Sequence, residues 1–216
     1  GSAAQRLQGG VSIASPPKLA RGDVLQIFSK PGPAPNGEDS VPWGPDLSGL
    51  RVRASKPVQV VAGHAATTLP STDVCCLDHM EESVLPARTL GKDYFVTRPA
   101  ASSSLAPYTV KILALEPDTH VGFSPESAAA PLTLAAESVQ LLSLNHDVRI
   151  TADKAIAVTQ YLHSQDAAGN IGDPAQSAAI PSDQYRTSYV FFTPTTFAQS
   201  YVSSVAPAGA SVTLDG

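Results

Sequence analysis

The chain has 216 residues, of which 43% are apolar and only 15% charged, and carries a net charge of -5. That length suits one large all-β domain or two small ones and is enough to bury a core without staples. The acidic balance, with no run of Lys or Arg, excludes the basic footprint that nucleic acid requires. No apolar run reaches the ~18 residues that span a bilayer as a helix.

Residues 1–10 read as a tag or linker: they open on Gly1-Ser2 and lack the basic-then-apolar pattern of a secretory leader. The chain therefore reads as part of a longer protein. Its 19 prolines and 15 glycines are spread along the whole length. They punctuate short runs rich in Val, Ile, Thr, Tyr and Phe, which predict strands over 11–14, 24–29, 50–54, 58–62, 94–97 and 108–115. Residues 30–48 are predicted loop, because Pro31, Pro33, Pro35 and Gly37 exclude regular structure. Trp43 sits in that loop, either pinning it to the body or offering an aromatic face to a ligand. Residues 77–85 place Leu77, Met80, Glu81 and Val84 on one side of a helical turn that Asp78 would cap. Residues 128–138 contain helix formers, but Pro131 and Thr133 favour strand or loop.

The second half repeats the first. Residues 51–61, RVRASKPVQVV, align with 149–159, RITADKAIAVT, so that Lys56 pairs with Lys154, Val58 with Ile156 and Val60 with Val158. Residues 85–99 align with 180–194, matching Pro86 with Pro181, Tyr94 with Tyr189 and Pro99 with Pro194. A period of about 90 to 110 residues is too long for a solenoid or a propeller blade and matches a sandwich-sized set of strands. The expected fold is therefore all-β: two pseudo-repeated β-sandwich-like units with long loops and at most one or two short helical turns. The first unit spans 11–120 and the second 121–211, with 212–216 beginning a further strand or a truncated third unit.

The chemistry concentrates in residues 58–90. This stretch holds both cysteines, Cys75 and Cys76, with His64, His79 and the acids Asp73, Asp78, Glu81 and Glu82. His64, Asp78, His79 and Glu82 are all competent metal ligands, yet their spacing matches no zinc signature. The preferred reading is a buried polar network of these four residues that braces a long loop. A structural or hydrolytic divalent-metal site on the same four is the alternative, and otherwise no cofactor is expected. Adjacent cysteines have Cα atoms only ~3.8 Å apart across a trans peptide, shorter than the usual disulfide span. A vicinal bond, two thiols with one buried, and a bond to another chain all stay open. No G-x-S-x-G, G-x-G-x-x-G or P-loop is present. In the second unit, Gly172-Asp173-Pro174 stands where the first has its acid cluster. It reads as a tight turn, although Asp173–Pro174 is also a candidate acid-labile bond. Asp166, Asn170 and Asp173 offer oxygens for calcium without the spacing of a twelve-residue calcium loop. His120, His146 and His163 are isolated and read as surface or edge residues.

The stretch also carries a family pattern. Lys56, Pro57, Gly63, His64, Cys76, Asp78, His79, Glu82, Pro86, Gly91 and Lys92 resemble the N-terminal domain of the IgG Fc-binding protein family, bacterial-type members included. The second unit resembles it again through residues 157–161, Gly172-Asp173-Pro174, Pro181 and Gln184-Tyr185. The resemblance implies an extracellular or cell-surface, non-enzymatic binding, adhesion or structural module. Its partner would be a protein or glycan at the cell surface or in the extracellular matrix. It also implies a cysteine just after Gly63-His64, bonded to the one near Asp78. Ala65 and Ala66 stand there instead, so that pairing loses its partner.

Overall fold

The computed structural model describes residues 2–7, 18–29, 32, 44–100, 107–170, 172–196 and 200–215. Trp43, the strand expected over 11–14 and most of the 30–48 loop lie outside the described residues. In chain order the strands are β1 (Ser2–Leu7), β2 (Val24–Ser29), β3 (Val61–Thr67), β4 (Asp78–Ser83), β5 (Gly91–Val96), β6 (Tyr108–Ala114), β7 (Thr119–Ser124), β8 (Leu132–Leu134), β9 (Val139–Leu144), β10 (Val148–Leu162) and β11 (Ala175–Ala178). Two single 3-10 turns, Ala87–Thr89 and Ser182–Gln184, are the helical content among the described residues. The chain is all-β, as its turn-punctuated, β-branched runs imply.

β10 organises the main sheet. Its N-terminal half is flanked by β5 and β7, and its C-terminal half by β6 and β11, all antiparallel. β8 extends β7 and β9 extends β6, giving a seven-stranded sheet. A register shift between Thr151 and Ile156 lets one strand serve both halves. The side chains obey the two-residue period of a half-buried strand. Tyr108, Val110, Ile112 and Ala114 of β6 point inward together with Val148, Ile150, Ile156 and Val158 of β10, Tyr94 and Val96 of β5, and Val121 and Phe123 of β7. The buried Tyr94 hydroxyl is satisfied twice: it donates to the Ile156 carbonyl at 2.6 Å and accepts from the Gly91 N–H at 2.9 Å. Gly91 also seats the second 3-10 turn, since a Cβ there would stand 2.4 Å from Pro181 Cβ.

Several sequence expectations change. Residues 77–85 are not helical: β4 runs through them and pairs with β3. One isolated helical turn has a costly nucleus, whereas β3 supplies a ready ladder. The strand expected over 58–62 forms three residues later as β3, and 50–54 and 212–214 are irregular and exposed. Ser2–Leu7, read as tag or linker, forms β1 parallel to β2. The 128–138 segment supplies the short β8, in line with its proline. Two separate sandwiches are not resolved, because β5 and β6 of the expected first unit join β10 of the second in one sheet.

Candidate functional site

Two hairpins lie side by side. The first is β3–β4, closed by loop 68–77; the second is the C-terminal half of β10 with β11, closed by loop 163–174. The strands are tied where the Gln176 side-chain amide donates to the Ala62 carbonyl at 2.9 Å. The loops are tied more closely. Ser164 is fully buried; its N–H donates to the Leu69 carbonyl at 2.9 Å, and its hydroxyl accepts the Leu69 N–H at 3.0 Å. Further along both loops the exchange recurs between Cys75 and Asp166. The Asp166 N–H donates to the Cys75 carbonyl at 3.1 Å, and the Cys75 N–H reaches Asp166 Oδ2 at 3.4 Å. Within its own loop, Ser164 also accepts the Ala168 N–H at 2.9 Å. Gly169, Asn170 and Gly172, all at positive φ, turn the chain back toward β11.

This brace presents Cys75 and Cys76, which are bonded to each other. Cys75 is exposed and Cys76 half-buried, and Leu77, Asp78 and His79 continue the exposed surface into β4. The four residues expected to form a network do not meet. His64 stands opposite Met80 in the ladder, so it shares a face with Asp78 and Glu82, while His79 projects from the other face. Each binds only nearby in sequence. His64 Nδ1 accepts from the Ala66 N–H, Asp78 from the His79 N–H and Glu82 from the Ser83 N–H. His79 lies 3.4 Å from Glu81, with both side chains more than half exposed, an arrangement worth little to stability. Among the described residues no group of three or more His, Cys, Asp or Glu is placed to hold a metal ion. Asp166 turns its carboxylate to Cys75 rather than to Asn170 and Asp173. Asp173 is exposed and Pro174 buried, at the end of the turn into β11.

The sequence leaves Leu69 and Ser164 of the brace unmarked and offers Asp166 only as a calcium oxygen. Ser164 and Asp166 follow β10 in the stretch set opposite the acid cluster in the sequence alignment of the two halves. His163, read as a surface residue, is 3% exposed. Its Nε2 lies 2.9 Å from Thr109 Oγ1, and its Nδ1 has no partner. A protonated ring donates from both nitrogens, so charging His163 would bury an unpaired N–H. Burial accordingly lowers its pKa below the ordinary value. The unfolded chain then takes up the proton more readily than the folded one. Stability is full above about pH 6.5, the unfolded value, and is lost as the pH falls below it. Melting temperatures between pH 8 and pH 5 should therefore decline on the acid side, and the decline should be shallower in His163→Gln.

Two surface depressions, of about 390 and 310 Å³, lie away from the loops, one beside β7 and β8 and the other beside Asp93 and Ser182. The exposed loop pair, rather than a pocket, is the candidate site. In comparison with known proteins, the family model described as IgGFc binding protein matches residues 5–216. No curated protein and no solved structure matches the chain.

Proposed function

The chain belongs to the IgGFc binding protein family, and from that premise we propose that its ligand is met by the surface of the braced loop pair. The module is non-enzymatic, extracellular or at the cell surface, and serves binding or adhesion. The observation that carries the proposed contact surface is the brace itself. Four backbone-anchored hydrogen bonds between loops 68–77 and 163–174 hold Cys75, Leu77, Asp78 and His79 in the open. Holding an exposed loop in one conformation lowers the ordering cost of binding. The surface is acidic, with Asp73, Asp78, Glu81, Asp166 and Asp173 all exposed, which suits a protein or glycan partner carrying basic groups. On the β3–β4 ribbon His64 and Glu82 share the face of Asp78, and Glu81 that of His79.

The pseudo-repeat belongs to the same reading. Loop 68–77 and loop 163–174 are counterparts, each closing the hairpin of one unit, and the binding surface forms where the two units meet. The test is a binding screen of the wild-type chain against antibody Fc fragment, extracellular-matrix proteins and a glycan array. Asp78→Ala and His79→Ala should weaken the interaction by about tenfold each and leave the melting temperature unchanged. Binding equal to wild type in both variants would contradict the assignment.

A further inference from the structure

The repeat extends to individual hydrogen bonds. In the first hairpin the Val84 N–H donates to the Val60 carbonyl at 2.9 Å; at the matching positions of the second, the Ala179 N–H donates to the Val158 carbonyl at 2.9 Å. Each hairpin then runs through a proline, Pro86 or Pro181, into a 3-10 turn closed in the same way, by Leu90 on Ala87 and by Tyr185 on Ser182. Each turn is followed by the same tyrosine bridge. Tyr94 Oη accepts the Gly91 N–H at 2.9 Å, and Tyr189 Oη accepts the Arg186 N–H at 2.7 Å.

There the two copies part. After the first turn the chain becomes β5 and pairs with residues 148–151, with Val96 opposite Val148, Phe95 opposite Arg149, Tyr94 opposite Ile150 and Asp93 opposite Thr151. After the second turn the corresponding segment, 188–191, joins no ladder among the described residues: Val190 is 93% exposed and the following Phe192 99%. The repeat also names its missing partner. Residues 148–151 correspond to 50–53, which are likewise outside any strand, with Leu50 42% and Val52 58% exposed. The chain thus makes one of two equivalent strand pairings internally and, among the described residues, leaves both halves of the other outside any ladder, although the Leu50 N–H closes a turn on the Leu47 carbonyl at 3.2 Å and Arg51 pairs with Glu137 at 3.1 Å.

We propose that the open halves pair between two copies of this chain: residues 188–191 of one copy add as an antiparallel strand to residues 50–53 of another. The register follows from the internal pair: Phe191 opposite Leu50, Val190 opposite Arg51, Tyr189 opposite Val52 and Ser188 opposite Arg53. The Tyr189 hydroxyl, which already accepts the Arg186 N–H, then donates to the Val58 carbonyl of the second copy, as Tyr94 donates to Ile156. Main-chain ladder bonds supply the affinity in such strand addition and alternate side chains supply the register. A strand bearing Tyr, Val and Phe with an unpaired edge is built to take a partner. If the exchange is reciprocal it closes a two-fold dimer; otherwise it runs on head to tail. The inference rests on the repeat and not on the loop-pair ligand surface, so the two stand or fall separately.

The test mixes two single variants, Leu50→Cys on one chain and Phe191→Cys on the other, under mild oxidation, with Cys75 and Cys76 already bonded to each other. A two-chain species should form in the mixture. Adding Val190→Pro to the Phe191→Cys chain should cut its yield by about tenfold, because proline removes a ladder donor, without shifting the melting temperature at so exposed a position. The inference is overturned if the mixture gives no two-chain species, if the Val190→Pro chain cross-links as well as its parent, or if a chain bearing both cysteines closes only on itself.

Discussion

Ile156→Ala should lower the stability of the domain by about 3 kcal/mol, within the usual range for truncating a fully buried isoleucine. Three features place it high. The side chain has no solvent exposure and packs in the core that spans β5, β6 and β10. The residue pairs with Gly91 of β5 on one side and Ala114 of β6 on the other. Its carbonyl also anchors the Tyr94 hydroxyl. A cavity here therefore sits where the two halves of the sheet meet and has little room to collapse. Chemical denaturation should show a lower midpoint with an unchanged slope. By contrast, Leu141→Ala in β9, where the side chain is 53% exposed, should change stability by less than about 0.5 kcal/mol.

Ser164→Ala should cost about 2 kcal/mol, more than its single lost hydroxyl suggests. The hydroxyl is the acceptor for the Leu69 N–H, and removing it leaves that part-buried donor unpaired, with a penalty of about 1–3 kcal/mol. Asp166→Ala should cost less than about 1 kcal/mol, because Asp166 is exposed and its bond to the Cys75 N–H is long. The ordering matters more than either figure. Were the loops braced by the acids of β4 instead, Asp78→Ala would be the costlier change, yet the Asp78 carboxylate accepts its hydrogen bond from the N–H of its own neighbour His79.

Much of the fold was legible because it depends on local pattern. β6 falls within a residue of its expected span, since Tyr108, Val110 and Ile112 alternate with Thr109, Lys111 and Leu113. The sequence pairs residues such as Lys56 with Lys154 and Pro86 with Pro181, and the Val84–Val60 and Ala179–Val158 backbone bonds fall at matching positions. What the pattern could not carry is non-local. β4 lacks β-branched residues apart from its flank, and DHMEES favours a helix until β3 provides its ladder. Two sandwiches are not resolved because β10 is long enough to pair with β5 and β6 as well as β7 and β11.

The site was half legible. The stretch around Cys75 and Asp78 was marked by its chemistry, and Cys75, Leu77, Asp78 and His79 are exposed rather than buried in a network. The brace was not marked, because a lone Ser, Asp or His says nothing of what packs on it. His163 is buried beside Thr109 of β6, and its neighbour Ser164 is bonded to Leu69 of the opposite loop. The state of the adjacent cysteines was likewise open until the loop brought them together as a bonded pair.

Native-state amide exchange at Leu69, Ser164 and Asp166 tests the loop brace most directly. All three N–H groups donate across the loop pair, so they should be protected together in the wild-type chain and released together by Ser164→Ala, while the amides of β10 stay protected. Exchange of these three at the rate of an unstructured peptide in the wild-type chain, with β10 still protected, would mean that the loops are not held and would contradict the braced surface.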